Sequence, residues 1–317
     1  MNNLNNAFKI NIYTYAFKYK YLKSSQIEHL YNMSQVAEPD QETEINHFNE
    51  FEENIENYRF VIRTVQASAF RTLVEALKEI LTDVNIEIDS TGMKIIAMDA
   101  SHVALIHMKL IAGNFEKYHC TKPIACGISM MRLFKLLKMM SPNDTLTFYV
   151  ENDEPNILKI QIETGEKNLK HTFELKLMDL MIDKVDVPPA EFASVLRIPS
   201  NDFQKLCRDM NQLADEIEIK SSGNELMFSI SNDWVNQQTI IKESMSGGGM
   251  SYIQNLAPDE VIQGVFSLRY LVLFSKCTNL CQNIEIYLKN DYPIIIRYNV
   301  ANLGEVKFCL APKNNDD

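Results

Sequence analysis

The chain has 317 residues, 46% of them hydrophobic, with 31 Lys or Arg against 42 Asp or Glu and a formal net charge of −11. That length carries two ordinary domains with buried cores, and that charge excludes a protein that coats nucleic acid with its whole surface. No apolar run reaches the roughly 20 residues of a membrane helix, no signal peptide opens the chain, and six scattered cysteines read as reduced intracellular thiols rather than a disulfide framework.

Residues 1–58 differ from the rest. An Asn-rich start and a Tyr/Lys run over 13–21 lead into residues 38–58, which hold eight Asp or Glu and no Lys or Arg. This stretch reads as a disordered N-terminal extension, or as a start placed upstream of Met33, with an aromatic and basic arm touching nucleic acid as the alternative. Much of the acidity therefore sits in the leader. A local basic surface elsewhere stays compatible with it, because fields act over a Debye length of roughly 8–10 Å.

The body opens with a strand at 60–65 and a helix over 67–81 that sets Phe70, Leu73, Val74, Leu77 and Leu81 at helical spacing. The other face of that helix carries Arg71 and Lys78, partly offset by Glu75 and Glu79. A hairpin follows over 84–98, turning at Ser90-Thr91-Gly92. The second helix, 129–140, places Arg132, Lys135 and Lys138 opposite Leu133, Leu136 and Leu137. The third, 200–213, has Ser200 as N-cap and shows Lys205 and Arg208 while Phe203, Leu206, Cys207 and Met210 turn inward. The fourth, 267–278, shows Arg269 and Lys276. Alternating segments at 145–150, 157–163, 284–288 and 294–300 read as strands, and Pro188-Pro189 marks a seam.

The same order of signals thus occurs twice, over 60–175 and 195–312. Gly127 precedes Arg132 by five residues, and Gly264 precedes Arg269 by the same spacing. Four basic helices at equivalent places in two repeats point to one shared surface facing a polyanion. Catalytic readings are weaker. Asp99, Ser101 and His102 lie too close in sequence to imply the convergent geometry of a triad. Cys277 with Cys281, and His119 with Cys120 and Cys126, lack a second paired set for a metal site, so buried thiols are expected and no metal or cofactor. The glycines at 247–249 lack the lysine of a phosphate loop and read as a hairpin tip.

Five stretches also carry a family resemblance: Met98-Asp99-Ala100-Ser101-His102-Val103-Ala104-Leu105, Glu174-Leu175-Lys176-Leu177-Met178-Asp179-Leu180, residues 203–209 ending Leu206-Cys207-Arg208-Asp209, Leu268-Arg269-Tyr270-Leu271, and Leu310-Ala311-Pro312-Lys313. In order and spacing, the body resembles the proliferating cell nuclear antigen type of DNA sliding clamp. The resemblance implies an α+β, duplicated two-domain sliding-clamp fold, with helices lining a ring interior and antiparallel sheets outside. Its divisions would be a first domain over 59–176, a connector over 177–192, a second domain over 193–313 and a tail over 314–317. It implies a non-enzymatic processivity factor, a homotrimer that encircles double-stranded DNA without reading sequence and is placed there by an ATP-dependent clamp loader. A specialised or checkpoint-type subunit of a heterotrimer is the alternative.

By family position, Arg71, Lys78, Lys135, Lys138, Lys205, Arg208, Arg269 and Lys276 would face DNA; Thr72 stands where a second basic residue is common. A pocket for short peptides of polymerases and other replication proteins would be formed by Met98, His102, Val103, Leu105, Val185, Val187, Pro293, Cys309, Ala311 and Pro312. Cys309 replaces a frequent tyrosine, and Val185-Asp186-Val187 replaces leucine-glycine-isoleucine. Subunits would meet along edge strands at 168–176 and 234–242, with Phe173, Lys176, Trp234 and Gln238 at the contact. The composition fits an AT-rich genome of a protist or a large DNA virus; the resemblance implies a nuclear location, or a cytoplasmic replication site if the source is such a virus.

Overall fold

The structure is a computed structural model that describes residues 51, 54–181, 185, 187, 189–244, 248–256 and 259–313. The chain divides into two units, Met1–Asn54 and Ile55–Asp317, and the second carries the fold. Of the extension expected over 1–58, residues 1–50, 52 and 53 lie outside the described residues, as do 182–184, 186 and 188 of the connector and the tail at 314–317. The extension ends earlier than expected, since Ile55–Asn57 form a 3₁₀ turn and Tyr58 already pairs in the first strand.

The first repeat runs β1 (Tyr58–Thr64), α1 (Ala67–Leu77), β2 (Asp83–Asp89), β3 (Gly92–Met98), β4 (Ala104–Ile111), β5 (Lys117–Cys120), β6 (Ile124–Ser129), α2 (Met130–Leu137), β7 (Thr145–Glu151), β8 (Ile157–Thr164) and β9 (Leu169–Lys176). The second repeats it as β10 (Ser194–Pro199), α3 (Ser200–Met210), β11 (Glu216–Ser222), β12 (Glu225–Ser231), β13 (Asn236–Lys242), β14 (Ser251–Asn255), β15 (Ile262–Ser267), α4 (Leu268–Phe274), β16 (Asn283–Leu288), β17 (Ile294–Val300) and β18 (Gly304–Leu310). The strands follow from alternation: in β2, Val84, Ile86 and Ile88 are buried while the residues between them are not.

Every helix stops short of its apolar pattern. Leu81 is buried as predicted, but α1 ends at Leu77 and the chain reaches Leu81 through tighter turns, Glu79 N–H to Ala76 O and Ile80 N–H to Leu77 O. After α4 the backbone tightens into a 3₁₀ segment, Ser275–Leu280, so Lys276 stands outside the α-helix. Periodicity reports which residues are buried, and these ends keep their burial after the hydrogen-bond pattern changes. Ser200, expected as an N-cap, is the first helical residue of α3 with Pro199 at the cap position. Its hydroxyl is turned instead to the Cys281 and Gln282 carbonyl oxygens, at 2.6 and 3.0 Å.

The strands form three antiparallel sheets, ordered β5-β1-β7-β8-β9, β14-β10-β16-β17-β18-β4-β3-β2-β6 and β13-β12-β11-β15. The nine-stranded sheet crosses from one repeat to the other where β18 pairs with β4, Phe308 opposite Ile106. Its inward residues join the buried faces of all four helices in one continuous core, with Tyr298, Phe60, Phe203, Phe228, Phe274 and Phe308 among the largest buried side chains. A shared sheet and core explain why both repeats fall in one unit.

Candidate nucleic-acid interface and docking surfaces

The helices form one layer. Helix α1 packs against α2 and against the 3₁₀ segment after α4, and α3 packs against α4 and that same segment. Each turns its apolar residues to the core and its cations outward. Lys135, Lys138, Lys205, Arg208 and Arg269 are exposed, as is Arg132, and none forms an ion pair among the described residues. These groups make the layer a phosphate-compatible surface with no fixed base-reading geometry.

Three of the expected cations are engaged within the chain. Arg71 donates from Nη1 to the Met140 carbonyl at 2.8 Å, holding the end of the α2 region. Lys78 lies 4.7 Å above the Phe134 ring and pairs with Glu79, and Lys276 Nζ lies 3.2 Å from the other oxygen of the same Glu79 carboxylate. The hydrogen bond from Lys78, with Lys276 nearby, holds the Glu79 carboxyl below the usual range against its partial burial.

The cations of the two repeats match as faces but not residue by residue. Helices α1 and α3 start at Ala67 and Ser200, so Arg71 falls on Gln204, Thr72 on Lys205 and Glu75 on Arg208. Gln204 does for α3 what Arg71 does for α1: its Nε2 donates to the Ser275 carbonyl at 2.7 Å. The equal glycine-to-arginine spacing is also out of register. Ser129 and Ser267 are the equivalent cap positions, and Asp83 opposite Ser129 matches Glu216 opposite Ser267, so Gly127 corresponds to Val265 rather than Gly264. The bonds agree: Met178 N–H donates to Gly127 O at 2.9 Å and Lys313 N–H to Val265 O at 2.8 Å. A Cβ on Gly127 would sit 2.0 Å from the Met178 carbonyl oxygen, whereas one on Gly264 would meet the Phe266 ring.

On the outward side, Met98, Leu105 and Cys309 lie in one row across β3, β4 and β18, continued by Ile295 of β17. Ala311 N–H donates to Val103 O at 3.1 Å, bringing the C-terminal segment against the same loop. His102 is exposed with a left-handed φ of 58°, Cys309 is buried, and Val103, Pro293, Ala311 and Pro312 are half-buried. A neighbouring cleft of about 510 Å³ is lined in part by Val261, Gln263, Tyr292, Pro312 and Lys313. Val185 and Val187 are half-buried, and neither bonds to the row.

Asp99 is fully occupied. One carboxylate oxygen accepts the Val103 and Ala104 N–H groups at 2.8 and 2.7 Å, the other the Ser101 N–H, the Ser101 hydroxyl and the Tyr270 hydroxyl, the last at 2.6 Å. Burial alone would raise its pKa, but the bonds from Ser101, Tyr270 and Ala104 outweigh that and hold it at about 2. Ser101 therefore bonds Asp99 directly, and no imidazole stands between them as a triad would need. In the sequence Tyr270 is only one member of the Leu268-Arg269-Tyr270-Leu271 stretch; its reach to the first repeat is a three-dimensional fact with no sequence signal.

Strands β9 and β13 are sheet edges, as expected. Phe173 is half-buried against the core and stacks on His171 at 6.1 Å; Lys176 and Gln238 are exposed, and Trp234, 69% exposed, lies just before β13 rather than in it.

The description "Proliferating cell nuclear antigen, N-terminal domain" matches residues 59–185, and "Proliferating cell nuclear antigen, C-terminal domain" matches residues 186–313. The chain is also similar to the probable DNA polymerase sliding clamp 1 of Paramecium bursaria Chlorella virus 1, 36% identical over 262 residues that cover 81% of this chain and 98% of that protein.

Proposed function

The chain belongs to the proliferating cell nuclear antigen family and is a DNA sliding clamp, and we propose that it works as a self-sufficient homotrimeric ring whose helix layer faces the duplex. The observation that carries this reading is the unpaired equivalence of two edges. Strand β9 occupies in the first repeat the place of β18 in the second, and β13 the place of β4. Within the chain, β18 and β4 pair; β9 and β13 are left over. A second copy supplies the missing partner, and a head-to-tail contact of this kind closes into a ring when its rotation divides the circle.

In that ring Arg71, Lys78, Lys135, Lys138, Lys205, Arg208, Arg269 and Lys276 face phosphates. Phosphate contacts position a protein without reading sequence, so the ring is free to move along the duplex. Retention comes from closure, which is how a chain of net charge −11 stays on DNA. The row Met98–Leu105–Cys309, with His102, Val103, Pro293, Ala311, Pro312 and connector residues Val185 and Val187, receives peptides of DNA polymerase and other replication proteins. The ring performs no chemistry of its own and is opened by an ATP-dependent loader, at a nuclear or viral replication site.

The test is light scattering of the full chain at low micromolar concentration, followed by loading on circular and linearised DNA. The expected mass is three times the 36.5 kDa of one chain, with retention on circles and loss from linear ends. A persistent monomer that becomes a ring only with a different subunit would replace the homotrimer with a heterotrimer.

A further inference from the structure

We infer that Glu79 is a built-in counterion of the DNA-facing layer, which keeps Lys78 and Lys276 from binding phosphate tightly and so weakens the grip of each subunit at the junction of its two repeats. The inference rests on the reading that the helix layer faces DNA. Glu79 lies between cations from opposite ends of the sequence: Lys78 beside it, at the C-cap of α1, and Lys276 on the 3₁₀ segment after α4, with its Nζ 3.2 Å from Oε2. The Glu79 and Lys276 side chains are 34% and 39% exposed, so both can exchange partners with a polyanion, while Lys78, 12% exposed, is held closer in against the Phe134 ring.

The placement is selective. Lys135, Lys138, Lys205, Arg208 and Arg269 have no carboxylate partner among the described residues. The only two expected DNA-facing cations that do have one share Glu79. The second repeat has no such brake at the matching place: Asn211 and Gln212 stand where the first repeat has Lys78 and Glu79. On α3 the cations Lys205 and Arg208 form no ion pair among the described residues, although Asp202 and Asp209 are exposed on the same helix, whereas Lys78 and Lys276 beside the end of α1 are tied to a carboxylate. A phosphate that approaches Lys78 or Lys276 must displace a carboxylate already in place, whereas one that approaches Lys205 displaces only water and counterions. Such asymmetry favours brief, exchangeable contacts over a fixed grip.

The test measures the salt dependence of full-length protein binding to a short blunt duplex, for the wild type, Glu79→Gln and a Lys205→Ala/Arg208→Ala double variant, with thermal melting of each. Glu79→Gln is expected to steepen the slope of log K against log salt by about one to two units per engaged subunit, since each added phosphate contact contributes about 0.9, and to leave the melting midpoint within about 2 °C because exposed ion pairs stabilise little. The double variant is expected to flatten the slope. If it does not, the DNA-facing reading of the layer fails. If it does and Glu79→Gln leaves the slope unchanged or flattens it, the counterion role is overturned. A flatter slope with a lowered midpoint assigns Glu79 to holding α1 against the 3₁₀ segment instead.

Discussion

At Asp99 five hydrogen bonds converge on one carboxylate from two distant parts of the chain. Its folded pKa of about 2 lies below the ordinary 3.8, so the folded state binds its proton less readily than the unfolded state. The stabilisation is therefore present above about pH 4 and is lost as pH falls through about 2, a contribution of roughly 2 kcal/mol. Asp99→Asn should be less stable than the wild type near neutrality by about that amount. Its urea midpoint should change less than the wild type's between pH 4 and pH 2; parallel curves would show that another carboxylate governs that window. Single residues were the least legible scale. The Gly127–Arg132 and Gly264–Arg269 spacings agree in number but not in place, and only strand register exposes the slip. Glu79 was visible as a negative charge on a basic face, but its tie to Lys276 depends on a fold that brings residues about 200 positions apart together.

Elements were far more legible, because alternation and helical spacing record burial directly. The strand at 294–300 falls where expected, and the apolar faces of all four helices are buried. What spacing does not record is how a segment ends or what docks on it. The segment after β9 crosses to β6 through Met178 and Gly127, assisted by Asn85 Nδ2 donating to the Leu180 carbonyl at 3.1 Å; the segment after β18 crosses to β15 through Lys313 and Val265. The first crossing needs a glycine, since a Cβ would enter the Met178 carbonyl. Gly127→Ala should release the start of the connector, with faster proteolysis and hydrogen exchange over 177–181 and a stability loss of about 2 kcal/mol. Gly264→Ala should cost less, because its obstacle is the far end of the Phe266 side chain rather than backbone. Equal effects at both sites would remove the distinction.

At the scale of the whole molecule, the in-chain pairing of β18 with β4 fixes the register expected between copies. Carried onto β9 and β13 through their sheet neighbours, it sets Leu169 opposite Ile241, His171 opposite Thr239, Phe173 opposite Gln237 and Lys176 beside Trp234. On the outward face it sets Thr172 opposite Gln238, and directly opposed residues of an antiparallel pair bring Cα atoms to about 4.5–5.5 Å, within the range a disulfide spans. A Thr172→Cys/Gln238→Cys variant should oxidise to covalently closed trimers. Thr172→Cys with Asn236→Cys, two residues out of step, should not. Efficient cross-linking of the second pair would mean that the copies pair in a different register. The α+β class and the duplication were legible in the sequence, because they rest on repeated patterns. The sharing of one sheet by both repeats was not, since nothing in a linear pattern says which strands meet.

That shared sheet bears on how such a ring admits DNA. In the proposed trimer two kinds of junction alternate around the circle. The one inside each chain combines β18–β4 pairing, a common core and the Asp99–Tyr270 tie; the one between chains rests on strand pairing and the few apolar side chains of its two edges, Leu169, Phe173, Trp234 and Ile241 among them. Half the junctions are welded and half are latches, so a loader that pulls on the ring meets least resistance between subunits. In that trimer the topology of the monomer would choose the gate.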